Sequence, residues 1–189
     1  MTFATKDQAR ASSSRARSEL SADDLHRAAL GIASHSWSDL VGFGPVTCYI
    51  SMDDEPGTSE LRSTLNNLGI AVYLPIMAPQ RKLLWGFDGS DLVQNTYGIL
   101  EPAPADIDLA NCSAMIIPGL RMGRDGTRLG RGAGYYDRVL NSVPRHSAGG
   151  PLRIGIVFDN ELDDSVPAEA HDSALDVIVT PALIHYVIS

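Results

Sequence analysis

The chain has 189 residues, 44% hydrophobic and 20% charged, with a formal net charge of −8. That composition is ordinary for a soluble globular protein, and the length suits a single domain, residues 1–189, with one sizeable core. The acidic balance argues against general nucleic-acid binding, no apolar run is long enough to span a bilayer, and Cys48 and Cys112 form neither a disulfide framework nor a metal-ligand spacing.

A reducing, cytoplasmic setting is therefore expected, and the polar, Ser-rich N-terminus lacks the apolar centre of a secretory signal. Residues 6–20 read as a short polar helix, with Lys6 and Arg10 four apart on one face. Spacing alone leaves that face either solvated or closing over phosphates. Ser21 to Asp24 has capping-box spacing, with Asp in place of the usual Glu or Gln, and opens a second helix through Leu25, Ala28, Ala29, Ile32 and Trp37. Val46 to Met52 is β-branched and aromatic enough for a strand, and Asp53 to Gly57 is a turn. Thr58 caps a helix whose buried face is Leu61, Leu65 and Leu68, with Gly69 to end it. Ile70 to Leu74 is a second strand stopped by Pro75, and Lys82 to Phe87 a third. Residues 88–111 are loop-rich.

An apolar strand, Ala114 to Ile117, then meets a stretch with six glycines between Gly119 and Gly134. Residues 121–138 carry five arginines against two aspartates. Glycine admits positive φ and close backbone approach, and amide groups ahead of a helix make an anion-binding concavity. Arginine adds planar donors that match phosphate and carboxylate. The pattern reads as a phosphate-binding loop between a strand and a helix over Tyr135 to Val143. It is not a Walker loop, since no Lys follows its last Gly, and Gly130, Gly132 and Gly134 give G-x-G-x-G where the dinucleotide fingerprint needs G-x-G-x-x-G. Arg153 to Phe158 and Asp176 to Thr180 are late strands. Helices alternating with short apolar strands predict an α/β sheet, mostly parallel and covered on both faces, with ligands outside the carboxyl ends of its strands.

The residues alone leave several roles open. Asp137 is a first-turn acid favoured by the helix dipole, or one half of an Mg²⁺ site whose other half is Asp172. His171 is a packed or capping residue before it is a general acid. Tyr97 stacks on a flat ring or simply packs. Tyr135 and Tyr136 include at least one core aromatic. Glu55 accepts hydrogen bonds from a polar heterocycle or is an idle turn acid.

Taken together, RLGRGAGYYDR from Arg128 to Arg138, K-x-x-x-R at Lys6 and Arg10, SMDDEPGT at Ser51 to Thr58, YLP at Tyr73 to Pro75, YGILEP at Tyr97 to Pro102 and the stretch ending in DVIVT at Thr180 resemble the 5-formyltetrahydrofolate cyclo-ligase (5,10-methenyltetrahydrofolate synthetase) family over nearly the whole chain. The resemblance implies a three-layer α/β/α sandwich with a mostly parallel central sheet. It implies ATP binding by Lys6, Arg10, Arg128, Leu129, Gly130, Arg131, Gly132, Ala133, Gly134, Tyr135, Tyr136 and Asp137, and Mg²⁺ binding by Asp137 and Asp172. Ile50, Glu55, Tyr97 and the stretch Arg131, Gly132, Ala133, Gly134 and Tyr135 are implied to contact the folate, with Arg131 and Tyr135 carrying the chemistry. The implied reaction is ATP-dependent closure of 5-formyltetrahydrofolate to 5,10-methenyltetrahydrofolate, by a monomer that needs neither nucleic acid nor membrane.

Two positions depart from the family pattern. Ala133 stands where Gly or Lys is usual, and Arg121-Met122 replaces a small residue followed by Phe, which bears on the shape of the folate pocket. The competing readings are a folate- or nucleotide-binding regulator that has lost turnover, and a sugar-phosphate isomerase or CoA-transferase relative sharing only the fold class.

Overall fold

The computed structural model describes residues 5–96, 98–169 and 174–188. Its helices are α1 (Lys6–Ser18), α2 (Ala22–Ala33), α3 (Trp37–Val41), α4 (Ser59–Asn67) and α5 (Tyr135–Ser142). Its strands are β1 (Val46–Thr47), β2 (Val72–Ala78), β3 (Lys82–Phe87), β4 (Val93–Gln94), β5 (Leu100–Glu101), β6 (Ala114–Pro118), β7 (Arg121–Gly123), β8 (Arg128–Leu129), β9 (Leu152–Ile156), β10 (Leu162–Asp163), β11 (Val177–Val179) and β12 (Ile184–Tyr186). Seven of them form one sheet in the order β12-β11-β9-β6-β1-β2-β3. Its interior strands run parallel, while β12 and β3 close the two edges antiparallel. The fold is α/β with a mixed, mostly parallel sheet, as the alternation of helix and strand implied.

Side-chain alternation sends the strands' apolar groups to both faces. On one face Val46, Val72, Ile116, Ile154 and Val177 pack with Ile32 of α2, Trp37 of α3 and Leu61 and Leu65 of α4. On the other, Met115, Ile117 and Ile178 pack with Val139 and Leu140 of α5. Burying such side chains is worth about 1.5–3 kcal/mol each before entropy is charged against it, so these two seams hold the sheet.

Local chemistry explains where the elements differ from expectation. The capping box closes even with the shorter Asp: the Ser21 hydroxyl accepts from the Asp24 N–H at 3.2 Å, and Asp24 accepts from the Ser21 N–H at 3.0 Å. The second helix stops at Ala33, and Trp37 opens α3 with its indole N–H on the Ile32 carbonyl at 2.8 Å. The expected strand from Val46 to Met52 is only Val46–Thr47, because beyond Cys48 the chain leaves the sheet. It turns there because the Thr58 hydroxyl, expected to cap α4, instead donates to the Tyr49 carbonyl at 2.6 Å. Pro75 does not end its strand. The Tyr73 carbonyl faces β1, so the Pro75 nitrogen faces that same side, where pairing with β1 has already stopped, and its missing N–H costs no ladder bond.

The loop-rich stretch contains the small β4–β5 hairpin. The glycine-rich segment is not one open loop either: β7 and β8 form a hairpin inside it, and β10 extends that into a second, three-stranded sheet. The chain from Tyr49 to Glu55 and the chain from Gly119 to Gly134 thus both lie outside the carboxyl ends of parallel strands.

Candidate functional site

A cavity of about 230 Å³ lies between those two segments. One wall is the turn carrying Tyr49, Ile50, Met52 and Glu55. The opposite wall is the run from Pro118 to Asp137. Pro75, Met77, Leu83 and Ile99, from the β2–β3 hairpin and the chain around β5, form an apolar side, with the Glu101 carboxylate beside them.

The glycine turn meets the cavity with backbone. Gly132 and Gly134 take φ of +97° and +73°, conformations an L side chain resists. Gly134 is the residue ahead of α5, and no side chain caps that helix. The first turn of α5, Tyr135 to Asp137, lines the cavity, and a helix start without a side-chain cap among the described residues leaves amide donors of the kind that bind anions. Ala133 fits between the two glycines in the cavity wall.

The five arginines do not act together, which corrects the expectation from their clustering. Arg121 is buried, with its Nε on Asp163 at 2.6 Å and an Nη on the Asn160 carbonyl at 3.0 Å. Arg124 is exposed beside His185, and Arg138 is exposed. Arg128 is buried and pairs with Asp137 while donating to the Pro118 carbonyl at 3.2 Å. Arg131 reaches across to the opposite wall, donating to Glu55 at 3.1 Å and to Asp54. Partial burial pulls the Arg131 guanidinium down, but the Asp54 hydrogen bond and Glu55 outweigh it and hold it above its ordinary value. Only Arg128 and Arg131 of the five line the cavity.

Glu55 is 7% exposed, and its second oxygen accepts from the Met52 N–H at 3.0 Å. It is no idle turn acid: it is a fixed carboxylate on the cavity wall. Two phenols join it. The hydroxyls of Tyr49 and Tyr136 are buried with no hydrogen-bond partner among the described residues. Burial pushes both phenols well up, the Glu55 carboxylate pushes them further, and both stay neutral donors. A buried unpaired hydroxyl costs about 1–3 kcal/mol, a cost a polar ligand oxygen removes. Tyr135 also lines the cavity, so both tyrosines of the YYD run face it.

Other expected residues sit further out. Lys6 pairs with Glu169 at 3.1 Å and Arg10 donates to the Gly130 carbonyl at 3.1 Å, so α1 backs the glycine turn without lining the cavity. Leu129 is no cavity residue: it packs with Ala9 and Val166, and its carbonyl accepts from the Leu120 N–H at 2.8 Å. Tyr97, His171 and Asp172 lie outside the described residues. The Arg121-Met122 departure does not reach the cavity surface. Met122 fills space left by Gly155, where a Cβ would stand 2.2 Å from its sulfur, and Arg121 is spent on Asp163.

Among the described residues no group of three His, Cys, Asp or Glu side chains is placed to hold a metal ion. Asp137 alone supplies a cavity carboxylate on the glycine-turn side, and it is partly exposed. That donor set fits Mg²⁺, which binds through one or two carboxylates, retained waters and substrate phosphates. Asp54, Tyr49 and Glu101 were not singled out from sequence. Glu101 lies inside the quoted YGILEP motif and Asp54 inside SMDDEPGT, so motif membership was the available signal for those two, and Tyr49 carried none.

An uncapped helix N-terminus, a glycine turn and a buried carboxylate around one cavity of an α/β protein are chemistry suited to a small anionic substrate. The model of the 5-formyltetrahydrofolate cyclo-ligase family matches residues 3–181, and the chain belongs to that family. It is similar to the 5-formyltetrahydrofolate cyclo-ligase of Mycolicibacterium smegmatis, 37% identical over 145 residues, 72% of this chain and 73% of the relative. It is also similar to that of Escherichia coli K12, 32% identical over 144 residues, 72% of this chain and 78% of the relative. In fold it resembles a 5,10-methenyltetrahydrofolate synthetase of Aquifex aeolicus, with a TM-score of 0.82 at 22% identity, covering 97% of this chain and 93% of the other.

Proposed function

We propose that this protein is a 5-formyltetrahydrofolate cyclo-ligase that converts ATP and 5-formyltetrahydrofolate to 5,10-methenyltetrahydrofolate, ADP and phosphate. The observation that carries the reading is Arg131. Its guanidinium sits on the glycine turn and reaches Glu55 at 3.1 Å, which ties an anion-binding turn and a buried carboxylate to one cavity. The membership of the chain in the family supports the same conclusion.

An N-formyl oxygen is a poor leaving group. Transfer of the terminal phosphoryl group onto that oxygen makes the formyl carbon electrophilic. N10 of the folate then forms the new C–N bond and gives up its proton, and the C–O bond breaks as phosphate departs with the former formyl oxygen. Such transfer needs positioning and charge neutralisation more than covalent help. On the nucleotide side we assign the amides of Gly130, Gly132, Ala133 and Gly134 and the start of α5 to the phosphates, with Arg128 holding Asp137 in place. Lys6 and Arg10 support them from α1. On the folate side we assign Ile50, Glu55 and Tyr97. Arg131 and Tyr135 stand between. Mg²⁺ held by Asp137 and Asp172 would neutralise phosphate charge.

The two cores, one on each face of the sheet, support the three-layer α/β/α arrangement. The reading places a monomer in the cytoplasm. Two unpaired buried cysteines fit a reducing compartment, and no helix among the described residues is long and apolar enough to cross a membrane. The test is direct: mix protein, Mg²⁺, ATP and 5-formyltetrahydrofolate and follow the methenyl chromophore. Growth of absorbance that requires ATP is expected. A turnover-dead regulator or an isomerase relative gives none.

A further inference from the structure

The wall of the cavity on the glycine-turn side is backbone, and backbone needs something behind it. Three side chains of α1 stand there: Arg10, Ser13 and Arg17, at spacings that share one helix face. Each donates to a carbonyl of the turn. Arg10 bonds the Gly130 carbonyl at 3.1 Å, Ser13 the Leu120 carbonyl at 3.0 Å and Arg17 the Gly119 carbonyl at 2.8 Å. Gly119 and Leu120 lead into the β7–β8 hairpin and Gly130 leaves it, so α1 pins both ends. Gly119 and Gly130 are themselves cavity wall.

Arg17 is the anchor. It is 3% exposed and makes a bidentate pair with Glu161, 1% exposed, at 2.7 and 2.8 Å. Glu161 Oε2, the oxygen at 2.8 Å, also accepts the Phe158 N–H at 3.1 Å, and the guanidinium lies 5.4 Å from the centre of the Phe158 ring. One ion pair therefore joins α1, the turn and the chain beyond β9. Replacing a buried pair of this kind by apolar residues of similar size is often neutral or stabilising. Stability alone does not call for these two charges. What they add is a direction for the Gly119 carbonyl.

We infer that Arg17 and Glu161, with Ser13, are positioning residues that set where the nucleotide wall of the cavity stands. This rests on the reading above that the glycine turn holds ATP. None of the three lines the cavity.

The experiment is steady-state kinetics on the double variant Arg17→Met/Glu161→Leu, beside its circular dichroism and thermal midpoint. The expected result is a folded protein whose KM for ATP rises on the order of tenfold and whose kcat falls, with the KM for 5-formyltetrahydrofolate unchanged, since small misplacements of a distant wall cost rate. Unchanged kinetics in the folded double variant overturn the positioning role and leave the site reading intact. A rise confined to the folate KM also overturns the inference, and shows instead that the turn is not the nucleotide wall. If the double variant does not fold, Ser13→Ala decides. It removes one hydroxyl, and a smaller rise in the KM for ATP alone is expected. No change in that KM overturns the role.

Discussion

Arg17 and Arg131 each grip two acceptors on distant parts of the chain, yet they sit in opposite worlds. Arg17 is sealed against Glu161 behind the cavity wall. Arg131 bridges the cavity to Asp54 and Glu55 with its side chain 38% exposed. A half-open pair such as Arg131–Asp54 is cheaper to form and to break than a pair sealed on both sides, which punishes the loss of one partner. The first kind suits a residue that must exchange partners when substrate arrives. The second suits a residue that must not move. On the proposed function, the same side chain serves as scaffold at Arg17 and as reagent at Arg131.

Single truncations sharpen the contrast. Arg17→Ala leaves Glu161 as an unpaired buried charge and is expected to cost about 3–5 kcal/mol in chemical unfolding. Arg131→Ala is expected to cost less stability than Arg17→Ala, because Asp54 is partly exposed and Glu55 keeps the Met52 N–H, while lowering kcat about 10²–10³-fold. Equal losses of stability in the two variants break the comparison. Glu55→Gln keeps the shape of the wall assigned to folate but removes the charge that pairs with Arg131. Its expected effect is a rise on the order of tenfold in the KM for 5-formyltetrahydrofolate, with ATP little changed, the scale of one charge-assisted hydrogen bond. A change confined to ATP reverses the assignment of that wall.

The smallest effect is in pH. Burial pushes the Cys48 thiol up to about 12 and the Cys112 thiol up to about 11, from an ordinary 9.0. Burial also pushes the Tyr49 and Tyr136 phenols up. The folded protein holds protons that the unfolded chain releases, so stability is complete below about pH 9 and declines as pH rises above it. The urea midpoint is expected to be lower at about pH 10 than at about pH 8, and a flat profile contradicts the burial of these groups.

Fold class and the glycine turn were legible because local chemistry writes them: alternating apolar strands for the sheet, glycines at positions of positive φ, an acid in the first turn of α5. What was hidden is partnership over distance. Counting arginines between residues 121 and 138 suggested one cationic surface. Arg121 instead answers to Asp163, 42 positions on, and the anchor of α1 to Glu161, 144 positions on. Charge density in a sequence does not reveal which charges are already neutralised. Strand ends were misplaced for a related reason. Thr58 left its cap for the Tyr49 carbonyl, and Pro75 found a side of β2 that had no neighbour to bond.

The central claim is that the glycine turn holds the nucleotide beside a folate wall and that Arg131 links them. Isothermal titration of ATP with Mg²⁺ into the wild-type protein and into Arg131→Ala tests it most directly. Saturable binding to the wild-type protein, weakened on the order of tenfold in the folded variant, is the expected result for loss of one charged contact. Equal affinity in the two proteins, or no nucleotide binding by the wild type, contradicts the account.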